Sequence, residues 1–236
     1  MSRPKSSGAA LALAVLSMVP GVASASNITV SGSSFTDDIP LPGMIATFHL
    51  GATENGVHQY IVDTTIDYYG GWGTITFDAQ NFSDQALTFT LSLALPLDPM
   101  MYDEAYTSIT GNGTASTSSF DVSTVSPASN VLVLEAGDPA ADLGVDVGGD
   151  CTVPVSLDGS SFTCSTSSAD AVFAPQSYDT LYATLAFSMG GSSSDASHAN
   201  HLLWDAYFEV DPVPEPVSLP LIGGGLLALA LLPRRA

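Results

Sequence analysis

Lysine and arginine are nearly missing from this chain: 236 residues carry four of them, against 24 aspartates and glutamates. The four are Arg3, Lys5, Arg234 and Arg235, so no permanent cation occurs between Lys5 and Arg234. That absence excludes nucleic-acid binding, which needs a basic footprint for phosphate. It also excludes P-loop lysines, arginine fingers and Schiff-base lysines, and with them most nucleotide and pyridoxal chemistry. Cysteine is scarce too, at two residues. No long stretch has helical periodicity; Met100 to Tyr106 has room for one helical turn and nothing larger. A chain of this length buries one sizeable core, or two small ones.

What the chain does have begins with its two ends, which read as addresses. Arg3 and Lys5 form a positive n-region, Ala9 to Val19 is apolar, and Ala23-Ser24-Ala25 supplies the small residues a signal peptidase reads. Residues 1–25 are therefore expected to be a secretory signal peptide, exported by the Sec machinery and cleaved after Ala25. The apolar run is too short to span a bilayer, and no stop-transfer charges follow it.

At the other end, Val213-Pro214-Glu215-Pro216 precedes an apolar run, Val217 to Leu232, closed by Pro233-Arg234-Arg235-Ala236. The arginines assign the C-terminus to the cytoplasm and the long middle region to the outside. As a helix the run reaches about 24 Å, short of a hydrocarbon core of roughly 30 Å. Pro220 and Gly223-Gly224-Gly225 also weaken it as a helix. A membrane-inserting helix of this kind suits a temporary hold in the inner membrane through 217–232.

Pro214-Glu215-Pro216, the glycine-rich apolar span and the Arg234-Arg235 pair, in that order, resemble the PEP-CTERM sorting signal of Gram-negative bacteria over about the last 24 residues. The resemblance implies that residues 212–236 are read by an exosortase, a membrane-embedded cysteine transpeptidase-like enzyme that cuts near the Pro-Glu-Pro. It also implies delivery to the cell surface or extracellular matrix, alongside exopolysaccharide and biofilm production. Val217 stands where the family more often has Ser or Thr, and the basic cluster is only two arginines.

Between the addresses, residues 26–211 read as one acidic all-β domain. Leu87 to Leu95 alternates strictly, with Leu87, Phe89, Leu91, Leu93 and Leu95 on one face. Leu181 to Met189 and Leu202 to Val210 repeat the pattern. Further strands are expected at Met44 to Gly51, Tyr60 to Tyr68, Trp72 to Ala79, Ser119 to Val125, Asn130 to Leu134 and Cys151 to Val155. The reading is an antiparallel β-sandwich of about eight to ten strands, jelly-roll or immunoglobulin-like. Cys151 and Cys164 flank the turn signal Asp158-Gly159, so they are expected to form a disulfide across a hairpin and to pin its register.

Few residues carry recognisable chemistry. Asp138, Asp142, Asp146 and Asp150 recur every four residues among glycines. The stretch has the oxygen chemistry of a Ca2+ loop but neither the EF-hand nor the nonapeptide spacing. A solvated acidic loop in which Asp and Gly make turns is the other reading. His198 and His201 beside Asp205 suggest a transition metal, but no third nitrogen or sulfur ligand is nearby. Tyr68, Tyr69 and Trp72 surround Gly70-Gly71 at a hairpin tip. Core packing, with Tyr68 and Trp72 turned inward, is their ordinary use, and stacking on sugar rings is the alternative. Asn27, Asn81 and Asn112 begin minimal glycosylation sequons, and Thr107 to Ser119 is rich in Ser and Thr. No Gly-x-Ser-x-Gly elbow is present, and no enzyme is expected. The expectation is an exported structural or adhesive protein of a polysaccharide matrix. A carbohydrate-binding module is the alternative, and a secreted polysaccharide hydrolase the third reading.

Overall fold

The computed structural model describes residues 24–30, 33–39, 44–54, 57–98, 100–116, 121–125, 129–137, 140–152, 160–164, 166–192 and 199–213. Among the described residues there are fifteen strands and no helix. They are β1 (Ser24–Val30), β2 (Ser33–Ile39), β3 (Met44–Glu54), β4 (Val57–Tyr68) and β5 (Trp72–Asn81). Then come β6 (Leu87–Pro96), β7 (Met101–Ala115), β8 (Asp121–Thr124), β9 (Leu132–Ala136) and β10 (Ala141–Asp142). The last are β11 (Cys151–Thr152), β12 (Ser160–Thr163), β13 (Ser167–Ser177), β14 (Thr180–Met189) and β15 (Asn200–Pro212).

All pairings are antiparallel, and they build two sheets. The first runs β10-β9-β14-β6-β1-β2, with β8 on β14 and β11 on β8. The second runs β12-β7-β15-β5-β4-β3, with β13 on β7. The cause lies in the period-2 pattern, which gives each long strand one apolar face. Strand β14 buries every second residue from Leu181 to Met189, and β15 buries Leu202, Trp204, Ala206, Phe208 and Val210. These faces meet between the sheets. Phe187 of the first sheet packs edge-on against Phe77 (5.8 Å between ring centres) and Trp204 (6.0 Å) of the second. The expected all-β sandwich is thus present, with more strands than the apolar alternation alone reveals.

Two expectations are corrected. Met100 to Tyr106 is not a helical turn: all but Met100 belongs to β7, the longest strand. Its inward set includes Thr107 and Gly111, small or polar residues that hide the alternation. Gly111 is required there, since a Cβ would lie 2.5 Å from the Trp204 ring.

Cys151 and Cys164 are paired at disulfide distance, with Cα atoms 5.4 Å apart, but not across a hairpin. Strand β11 pairs with β8 in the first sheet, whereas β12 pairs with β7 in the second. The Cys164 amide donates to the Gly111 carbonyl at 2.7 Å. The bond therefore ties sheet to sheet, and its sulfurs lie in the core. The turn signal Asp158-Gly159 itself lies outside the described residues.

The described strands extend slightly beyond residues 26–211 at both ends. Strand β1 begins at Ser24, inside the expected cleavage region Ala23 to Ala25, although its pairing with β6 begins only at Ser26. At the far end the sandwich runs past Asp211: Pro212 completes β15, and the Val213 amide donates to the Met101 carbonyl at 2.7 Å. Ala23, Pro214, Glu215, Pro216, Arg234 and Arg235 lie outside the described residues, as does the apolar run 217–232. Among the described residues no helix is long and apolar enough to cross a membrane.

Candidate functional site: an exposed aromatic row

The hairpin between β4 and β5 divides its aromatic residues between two faces. Gly70 takes a left-handed φ of 72°, and the Tyr69 amide donates to the Trp72 carbonyl at 2.9 Å, which closes the turn. Tyr68 then faces inward. It is buried, stacks on Phe208, and its hydroxyl donates to the Pro96 carbonyl at 2.6 Å. Burial, with Tyr102 and Asp98 nearby, holds that hydroxyl far above the ordinary tyrosine range. Tyr68 therefore offers no face to a ligand. Its partner across the strand pair is Gly73, where a Cβ would meet the Phe208 ring at 2.7 Å.

Tyr69 and Trp72 point the other way, so the expectation that Trp72 turns into the core is corrected. They are 43% and 39% exposed and stack on each other, with ring centres 4.4 Å apart and planes 19° from parallel. The row continues over the outer face of the second sheet. Trp72 is opposite Glu209 of β15, and its ring lies 6.3 Å from that of Tyr207. Tyr106 of β7, also opposite Glu209, is 38% exposed and 6.0 Å from Tyr207. Four rings thus cross β5, β15 and β7 from the hairpin tip.

Tyr106 and Tyr207 were not picked out from sequence. For Tyr207 a signal existed: it falls out of phase with the inward set Trp204, Ala206 and Phe208, so it had to face outward. For Tyr106 the concealed phase of β7 removed the signal.

Carboxylates interleave the rings. The Tyr69 hydroxyl donates to one oxygen of Asp67 at 3.3 Å, and the Tyr207 hydroxyl donates to Glu209. Burial first, then the Glu209 hydrogen bond and charge, pushes Tyr207 up to about 12. Asp170 of β13 is opposite Tyr106, and Asp211 is opposite Glu104 in the next row. Burial first, and then Glu209, Glu104 and Asp103, raises the pKa of Asp211. The second oxygen of Asp67 is buried without a hydrogen-bond partner among the described residues. Every exposed large apolar side chain among the described residues (Ile45, Tyr69, Trp72, Met100, Met101, Tyr106 and Val172) belongs to this end of the second sheet, where β15 finishes.

Further along the same sheet, histidines partner two of the carboxylates. Asp63 and Asp78 are directly opposite each other on β4 and β5, a like-charge pairing that opposes sheet formation. Each has its own histidine: His49 Nδ1 lies 2.6 Å from Asp63, and His201 Nε2 lies 2.7 Å from Asp78. The hydrogen bond to Asp78 raises the pKa of His201 against the opposing effect of burial. His201 therefore serves Asp78, while Asp205, its expected companion, accepts from Thr76 at 3.1 Å; His198 lies outside the described residues.

The described members of the aspartate series have separate structural duties. Asp142 accepts from the Gly144 amide at 2.6 Å, Asp146 from the Leu134 amide at 3.2 Å, and Asp150 from the amide and hydroxyl of Thr124 at 2.8 and 3.1 Å. Burial, opposed by the Leu134 bond, raises the pKa of Asp146. Asp138 lies outside the described residues. No group of three or more His, Cys, Asp or Glu at metal-binding distance occurs among the described residues.

Compared with known proteins, the chain matches no family model, and no curated protein is significantly similar to it.

Proposed function

We propose that this chain is an exported adhesive protein of a polysaccharide matrix and that it holds sugar chains on the outer face of its second sheet. The observation that carries this reading is the row Tyr69, Trp72, Tyr207 and Tyr106. Large rings left in water on a sheet face cost solvation that core packing would recover. The apolar faces of sugar rings cover such surfaces, while Asp67, Asp170 and Glu209 accept from sugar hydroxyls.

Delivery follows from the two addresses. The Sec machinery exports the chain, and signal peptidase removes residues 1–25. The segment 217–232 holds the precursor in the inner membrane until an exosortase cuts near Pro214-Glu215-Pro216, which leaves the mature protein at the cell surface or outside the cell. Cleavage after Ala25 is compatible with the sandwich, because every β1–β6 pair, from Ser26↔Leu93 onward, survives it.

Retention on immobilised polysaccharides tests the adhesive reading. The full chain is expected to be retained, and Trp72→Ala to lose most of that retention while melting at nearly the wild-type temperature. Equal retention of the two proteins contradicts it.

A further inference from the structure

We infer that the sugar chain held on this row is an amino-sugar polymer carrying protonated amines. The inference rests on the adhesive reading and narrows its ligand.

The first ground is charge. The rings are set among Asp67, Asp170 and Glu209, with Glu104 and Asp211 in the adjoining row. No lysine or arginine occurs between Lys5 and Arg234 to neutralise them. His201 and His49 are already engaged, with Asp78 and Asp63. A uronate or sulfated chain meets uncompensated repulsion on this surface, and a neutral chain gains hydrogen bonds from its hydroxyls but no charge attraction. A chain with amines meets both the carboxylates and the negative ring faces, which attract cations directly.

The second ground is an unused acceptor. One oxygen of Asp67, beside Tyr69, is buried without a partner among the described residues. That oxygen has no surface open to a ligand, but a carboxylate oxygen left without a donor is costly, and a positive charge held on the row offsets that cost through its field.

The third ground is regularity. Beyond the stacked pair Tyr69 and Trp72, 4.4 Å apart, ring centres advance by 6.3 Å from Trp72 to Tyr207 and by 6.0 Å from Tyr207 to Tyr106. Those steps are comparable with the length of one sugar unit, which suits a repeating chain better than the irregular surface of a basic protein.

Calorimetric titration of the full chain in mild detergent distinguishes the outcomes. The probes are the β-1,4-linked hexamers of glucosamine, N-acetylglucosamine, glucose and galacturonate, with polylysine as a further titrant. The glucosamine hexamer is expected to bind at least about tenfold more tightly than its acetylated form, and the galacturonate hexamer not at all. Trp72→Ala and Tyr106→Ala are each expected to weaken glucosamine binding about tenfold. Asp170→Asn, which leaves every ring in place, should reduce the preference for the amine without abolishing sugar binding.

Equal binding of the amine, acetylated and glucose hexamers overturns the charge inference and leaves the adhesive reading intact. Binding of none overturns both. Glucosamine binding that survives all three substitutions shows polyelectrolyte attraction elsewhere and overturns the assignment to this row. Polylysine binding that depends on Trp72, without glucosamine binding, makes the partner a basic protein and overturns it too.

Discussion

Two asparagines hold the end of the sandwich opposite the aromatic row. Asn81 and Asn200 are adjacent across β5 and β15, and both are fully buried. The Asn81 amide donates to the carbonyls of Gln85, Met189 and Gly190, and its oxygen accepts from the amide and hydroxyl of Ser83. Asn200 donates to Gly190 and Gly191 and accepts from the amide and hydroxyl of Ser116. Asn81 is therefore a structural strut, and its sequon is not available for glycosylation. Asn81→Ala takes the acceptor from the buried Ser83 amide and removes three donations, although the Gln85 carbonyl still accepts from the Ser83 hydroxyl and the Gly190 carbonyl from Asn200. It should cost about 2–3 kcal/mol in a denaturant titration.

His201 gives a second test at the same scale. Its raised pKa means that the folded state holds the proton more tightly than the unfolded one. The stabilisation is fully present below the unfolded value of about 6.5 and is lost as pH rises through the folded value. On this pair, with side chains 33% and 31% exposed, it amounts to about 1 kcal/mol or less. Melting temperature should fall as pH rises through neutrality, and Asp78→Asn should flatten that slope.

At the scale of elements, the strands with apolar alternation were legible in the sequence. Strands β4, β5, β6, β14 and β15 fall where the pattern of Val, Ile, Leu and Phe puts them. Strand β7 was not legible, because Gly111 and Gly113 make room for the rings of Trp204 and Phe162. A residue chosen for what it lets in leaves no hydrophobic signature of its own. Strand β13 was missed for the opposite reason: it lies off the main path of its sheet, largely exposed, with Val172 75% accessible, so its pattern is weak.

The cysteines show the same limit. Their spacing with a turn between them is that of a hairpin, yet β11 and β12 enter different sheets. Spacing fixes the reach of a bond and not the strands it joins. A bond between sheets resists their separation. Cys151→Ser with Cys164→Ser should therefore lower stability by about 2–4 kcal/mol, measured by denaturant titration with and without reductant on the wild type.

At the scale of the whole molecule, charge and delivery become one question. Of the 24 acidic residues only Glu215 lies outside the stretch from Ser26 to Asp211, which has no lysine or arginine to set against the other 23. Like charges oppose compaction over a Debye length of about 10 Å at 0.1 M salt. Melting temperature should therefore rise when monovalent salt is raised from low to moderate concentration, before any specific ion is invoked. A melting temperature indifferent to salt contradicts this electrostatic account.

The row of rings lies at the end of the sheet where β15 finishes and Val213 bonds to Met101. The proposed sugar-binding face thus lies at the pole where the described chain ends, just before the proposed tether. Delivery is the premise of the adhesive role, and the intact mass of the protein recovered from the outside of its native cells tests it most directly. The account predicts a chain that has lost residues 1–25 and ends near Pro214-Glu215-Pro216. A mass that includes residues 217–236 on protein free of the membrane, or one that retains the first 25 residues, contradicts it.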